Sequence, residues 1–164
     1  MRLTEEHVTK KLSLQLVQEG CEIVSIHPPD GQGPFVIRKS PIKDAIERSS
    51  YHPDVVAVKN ISPPKLLIAE SKLNEIDMQN DLVKLADFSK SRFSMLFAFY
   101  RCQNFKGGPK VGFDFDYISS LPTKDLPIEF VLACASNEAS SLEIIDINGF
   151  FARIFRFNKK ELMN

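Results

Sequence analysis

Near the start of the chain Val8, Leu12 and Leu16 recur at helical spacing among polar residues, predicting a first helix capped by Thr4 and running to about Glu19, where Gly20 ends it. Glu5 and Glu6 stand where a helix dipole favours acids. At about 100° per residue Glu5 falls on the N-terminal end of the apolar stripe and Glu6 turns away, while Leu14 and Val17 widen the apolar surface on another side. CEIVSI then alternates as a strand before the turn residues Pro28, Pro29, Asp30 and Gly31. Residues 41–49 predict a short helix beginning at Pro41.

Two apolar runs follow, VVAV and LLIA, separated by Asn60, Ile61, Ser62, Pro63 and Pro64, which favour turning and cannot continue a central ladder. This predicts a hairpin. Symmetric closure of its loop sets Lys59 against Lys65, and counting outward brings Asp54 opposite Glu70, with Lys72 on the same face as Glu70. A bulge would move that register by one residue. Beyond Lys72, the spacing of Met78, Leu82, Leu85 and Ala86 predicts an amphipathic helix capped by Asn74. SMLFAFY reads as a buried strand, and VGFDFDY as a strand alternating Val111, Phe113, Phe115 and Tyr117 with small or acidic residues. IEFVLACA, LEIIDI and FFARIFRF complete the expected strands. No repeat, low-complexity tract or linker-like run divides residues 1–164, so one domain is expected. The order helix, strand, hairpin, helix, strand predicts an α/β fold, a mixed β-sheet flanked by helices.

Composition narrows the class. With 43% hydrophobic and 26% charged residues, the chain suits a core-forming domain. Three widely spaced cysteines suggest neither a disulfide framework nor a clustered metal site, and read as buried small hydrophobes. The N-terminal stretch is acidic and amphipathic and no apolar run reaches membrane-spanning length, so a soluble, cytoplasmic protein without membrane association is expected. The 21 basic and 21 acidic residues cancel, which is unusual for a chain that holds DNA alone through phosphate contacts. Any DNA affinity is expected from local patches: Arg38, Lys39 and Lys43; Lys106 and Lys110; and Arg153, Arg156, Lys159 and Lys160. Each reads equally as a solvated face.

The chemistry lies in the hairpin. Two carboxylates facing each other across an antiparallel pair repel by roughly 0.2–1 kcal/mol when exposed, and more when buried. A bound cation turns that repulsion into a site. With Pro53-Asp54 and Glu70-Ser71-Lys72, fifteen residues lying between Asp54 and Glu70, the segment resembles the PD-(D/E)xK nucleases. The resemblance implies a restriction-endonuclease-like core and Mg2+-dependent hydrolysis of DNA phosphodiester bonds, with Mn2+ able to substitute. Asp54 and Glu70 are then the metal ligands, the main-chain carbonyl of Ser71 adds another, and Lys72 positions the attacking water or contacts the phosphate. Some branches, archaeal Holliday-junction resolvases among them, add an acid from the first helix, and Glu5 is the candidate; an acid stabilising a helix N-terminus is the plain alternative. Gln79 stands where related nucleases carry a polar helper, and His52 reads as a residue leading into the strand. The plain alternative for the whole motif is a surface turn beside an exposed ion pair worth about 0–1 kcal/mol.

Two other groupings carry less. Asp114 and Asp116 lie two apart on one expected strand face, without an opposing acid or lysine. FKGGPK lacks the spacing of a phosphate loop and reads as a hairpin or loop. Its position after SMLFAFY is similar to a lysine-glycine turn in type IIS restriction cleavage domains. That likeness implies a small, strand-nicking catalytic subunit of a heteromeric restriction endonuclease, acting on double-stranded DNA with a larger recognition subunit. The alternatives are a homodimeric, Holliday-junction-resolvase-like nuclease and a non-catalytic DNA- or protein-binding module on the same fold.

Overall fold

The computed structural model describes residues 2–27, 35–41, 50–109 and 111–164. Helix α1 spans Glu5–Gln18 and buries Val8, Leu12 and Leu16, the stripe that its spacing sets on one face. His7 closes its first turn by accepting the Thr4 N–H at Nδ1, 3.1 Å away. Gly20, at φ 90°, reverses the chain into β1 (Cys21–Ile26). The hairpin is formed by β4 (Val55–Lys59) and β5 (Lys65–Lys72), after a small two-stranded pair β2 (Ile37–Arg38) and β3 (Ser50–Tyr51). Lys59 pairs with Lys65 and Val55 with Ala69, so the register expected from loop symmetry is the one observed.

Helix α2 (Glu75–Ser89) starts at Asn74, whose side chain accepts the Asp77 N–H. It is followed by α3 (Arg92–Gln103), α4 (Phe115–Ser120), a 3-10 turn at Thr123–Asp125, β6 (Ile128–Ser136), β7 (Ser141–Ile147), β8 (Phe150–Asn158) and α5 (Lys159–Leu162). The main sheet has the order β1-β4-β5-β6-β8-β7. It is antiparallel from β1 through β5, parallel across β5, β6 and β8, and antiparallel again at β7. The fold is therefore α/β, a six-stranded mixed sheet flanked by helices.

Alternation along the strands divides the core between the two faces. Val56, Val58, Leu66, Ile68, Phe130 and Leu132 pack with α2 and α3, while Val55, Ala57, Leu67, Ala69, Val131 and Phe155 pack with α1. A two-residue turn, Asn148-Gly149 with φ 52° and 91°, links β7 to β8. The Asn148 side chain donates to Ala86 O and Ser89 Oγ, fastening that turn to the end of α2.

Two expected strands are not strands. SMLFAFY forms most of α3, where Met95, Ala98, Phe99 and Cys102 are buried at helical spacing and Ser91 caps the N-terminus. An unbroken apolar run carries no period of its own, and the helical contacts against β2 and α2 decide it. VGFDFDY buries Val111 and Phe113 in extended chain and then turns into α4, because the Asp114 side chain accepts the Tyr117 N–H. Asp114 and Asp116 accordingly share no strand face. The expected helix at 41–49 lies, beyond Pro41, outside the described residues.

Among the described residues no helix is long and apolar enough to cross a membrane. The three cysteines are free and buried, as composition suggested.

Candidate metal centre

The hairpin carries its chemistry at the end remote from its loop. β4 begins at Val55, so Asp54 sits one residue outside the ladder, level with Glu70 on β5. Because β4 stops there, the Ser71 N–H faces past its end and donates to Asp54 Oδ2 at 2.8 Å. In an extended residue the C=O points to the same side as the N–H, so the Ser71 carbonyl is directed toward Asp54 as well. On its other flank this segment is secured by β6, with Glu70, Ser71 and Lys72 level with Leu132, Ala133 and Cys134.

Glu70 is 2% exposed. Tyr51 on β3 donates its hydroxyl to Glu70 Oε1 at 2.5 Å. Burial pushes the Glu70 carboxyl up to about 9, the Asp54 charge and a shared hydrogen bond with Asp54 push the same way, and the Tyr51 hydroxyl only partly opposes them. The Tyr51 phenol is itself held well above its ordinary value by burial and by Glu70. In the metal-free protein Glu70 therefore favours its protonated form at neutral pH.

A third acid completes the group. Ligand oxygens of Asp54, Glu70 and Asp81 all lie within 4.8 Å of one another. Asp81 comes from α2 and is 3% exposed, and burial holds its carboxyl above the usual range despite Lys72 and Lys84. Lys84 Nζ is 3.4 Å from Oδ1 and Lys72 Nζ is 3.8 Å from Oδ2; Oδ2 itself is buried without a hydrogen-bond partner among the described residues. Lys72 also meets Glu5 Oε1 at 3.3 Å. Burial alone would lower the Lys72 ammonium, but Asp81, Asp54 and Glu5 together outweigh it and hold the lysine above its ordinary value.

The sequence-derived residues are thus distributed unevenly. Asp54, Glu70, Ser71 and Lys72 come together, and the Glu5 carboxylate meets Lys72. Gln79 is exposed and bonds back to Glu75. His52 is exposed between β3 and β4, its ring 5.9 Å from that of His27. Lys39 and Lys106 are exposed away from the acids, Lys159 and Lys160 are exposed on α5, and Lys43 and Lys110 lie outside the described residues. Arg153 and Arg156 are not free phosphate ligands. Arg153 is held by Glu19 and Glu129 at 2.7 Å each, and Arg156 by Glu75 and Glu143 at 2.8 and 2.7 Å.

Asp81 is the residue that motif reading passes over. Its signal is an acid on an apolar stripe, since Met78, Asp81, Leu85 and Phe88 share the buried face of α2. A cavity of about 450 Å³ opens beside the group, lined by Glu5, Thr9, Ser13, Ile26, His27 and Asp54 among others. The donor set is entirely oxygen, with three carboxylate oxygens within 4.8 Å of one another. Such a set suits a hard divalent ion, Mg2+ or Mn2+, better than zinc or copper.

No protein-family model, curated protein or solved structure matches this chain.

Proposed function

We propose that this protein is a Mg2+-dependent endodeoxyribonuclease of the PD-(D/E)xK type that hydrolyses DNA phosphodiester bonds in the cytoplasm. The observation that carries the reading is the pairing of Asp54 with the proton-holding Glu70 at the end of the hairpin, with Lys72 two residues beyond Glu70. The topology supports it, since helix, strand, hairpin, helix and parallel strand follow in the order that the resemblance implies.

Asp54, Glu70 and the Ser71 carbonyl would hold the ion. When bound, it supplies charge neutralisation at the phosphate and lowers the proton affinity of a coordinated water. The Ser71 N–H fixes Asp54 in the orientation that ligation needs. Tyr51 fixes Glu70 and favours its ionised form. Lys72, kept cationic by its three acidic neighbours, donates to the attacking water or to a phosphate oxygen and stabilises negative charge gathering there.

The engagement of Arg153 and Arg156 in ion pairs, together with zero net charge, supports a subunit that nicks one strand of double-stranded DNA while a larger partner supplies recognition. A homodimeric junction resolvase is the second reading, favoured by the contact between Glu5 and Lys72. The test is nicking of supercoiled plasmid and of a four-way junction at low salt with Mg2+ or Mn2+. Wild type should nick, and Asp54→Ala and Lys72→Ala should not. Junction cutting that needs Glu5 moves the assignment to the resolvase. Cleavage that survives Asp54→Ala overturns the site, and a wild type inert on both substrates points to a non-catalytic module or a subunit requiring its partner.

A further inference from the structure

We propose that Asp81 is a third protein ligand, making the centre a three-carboxylate site that binds a divalent cation without DNA. The proposal rests on the metal-dependent reading of Asp54 and Glu70 and extends it.

An acid on the buried stripe of a helix needs an account, since Asp81 takes a position that Met78, Leu85 and Phe88 fill with apolar side chains. Pairing with lysine accounts for only half of it. Lys84 approaches Oδ1, but Lys72 stands 3.8 Å from Oδ2, beyond hydrogen-bond distance, and among the described residues Oδ2 has no hydrogen-bond partner. Leaving a buried carboxylate oxygen unpartnered is costly, because nothing replaces the water it gave up. The same carboxyl brings an oxygen within 4.8 Å of the Asp54 and Glu70 oxygens. Oxygens on opposite sides of Mg2+ are about 4.2 Å apart, twice a bond of about 2.1 Å. Adjacent oxygens on such an ion are about 3 Å apart and of three donors at most one pair is opposite, so oxygens held within 4.8 Å of one another close by up to about 0.6 to 1.8 Å between partners to place all three carboxylates on one ion.

The donors come from three rigid places: the residue before β4, the end of β5 and the second turn of α2. With the Ser71 carbonyl they make four oxygens, leaving about two of six octahedral positions for water or substrate. Sites with one or two carboxylates depend on substrate phosphates to complete the shell; this one does not. When Asp81 turns to the ion, Lys72 keeps Glu5 as its partner and remains beside the site.

The experiment is calorimetric titration of Mn2+ into the full, DNA-free chain. Wild type should bind one ion. Asp81→Asn, nearly isosteric, should weaken binding at least about tenfold, with its circular dichroism and melting showing an intact fold. Glu5→Gln, which removes an equal charge near Lys72 but no ligand, should weaken it less than about threefold, the size of an exposed charge effect. Lys84→Ala, freeing Oδ1, should tighten binding about twofold to fivefold. Wild-type affinity in Asp81→Asn, equal losses in Asp81→Asn and Glu5→Gln, or no binding by the DNA-free wild type would each overturn the proposal. Plasmid cleavage separates the two readings: a wild type that binds Mn2+ through Asp81 yet cuts nothing refutes the nuclease and keeps the site. Cutting by the wild type, with Mn2+ affinity unaltered in Asp81→Asn, refutes the third ligand alone.

Discussion

Glu70 and Glu129 stand on adjacent parallel strands, 2% and 5% exposed, yet their surroundings are opposite. Glu129 faces the α1 side of the sheet and meets the Arg153 guanidinium at 2.7 Å, with Glu19 sharing the same arginine. Glu70 faces the α2 side and, among the described residues, meets a tyrosine hydroxyl and a second carboxyl but no arginine. A buried acid that exists for the fold is answered by a fixed cation, because removing a charge from water is otherwise too costly. A buried acid answered by more acid is held ready for a charge that arrives from outside. Burial alone does not distinguish the two; the partner does.

The comparison breaks first at Glu70→Gln. An amide replaces a carboxyl that must hold a proton to fold, so metal-free stability in urea should match the wild type near pH 4.5 and exceed it increasingly as pH rises toward about 9. Plasmid nicking should fall at least about 10²- to 10³-fold, the size of losing one well-placed charge-stabilising group. Glu129→Gln should do the reverse. It removes one acid from a half-buried arginine that Glu19 still holds, costing about 1–2 kcal/mol in urea while leaving Mn2+ affinity at the site unchanged.

A pH series sharpens the contrast further. Folded Glu70 keeps its proton up to about 9, whereas the unfolded chain releases it in the ordinary carboxylate range. Between those limits the folded state binds more protons, so this group's contribution is complete at low pH and lost as pH rises through about 9. Metal-free stability should therefore fall between pH 6 and 8 by up to about 1.4 kcal/mol per unit from this group. The slope should be absent in Glu70→Gln and reduced by saturating Mg2+. The smallest effect is expected of Tyr51→Phe. It removes the one contact that favours ionised Glu70, costing about 1 kcal/mol of stability and weakening Mn2+ binding severalfold in calorimetry, with cleavage reduced to match.

Much of the site was legible because local chemistry and long-range pairing agree there. The residues 60–64 can only turn, the flanking runs can only pair symmetrically, and that register alone sets Asp54 level with Glu70. Asp81 was hidden because its partners are remote in sequence and its helix was read for its apolar stripe, not for the acid interrupting it. The errors at α3 and α4 share another cause. Apolar residues in succession satisfy a buried strand and a buried helix equally, so the deciding signals were the small ones: Ser91 capping α3 and Asp114 capping α4. Arg153 and Arg156 looked like a basic surface because a linear sequence does not show that Glu19, Glu75, Glu129 and Glu143 converge on them.

β5 is flanked by β4 and β6, and it ends in Glu70, Ser71 and Lys72, still level with β6 after β4 has stopped. Amides in such a central strand exchange with solvent mainly through opening of the whole domain, whereas those of the outer strands β1 and β7 exchange through local fraying. Glu70 therefore sits in a segment expected to exchange slowly, one residue from where the β4–β5 ladder ends. Warming should leave the arrangement of the acids intact until the sheet itself melts, so loss of cation binding and global unfolding should occur at one temperature.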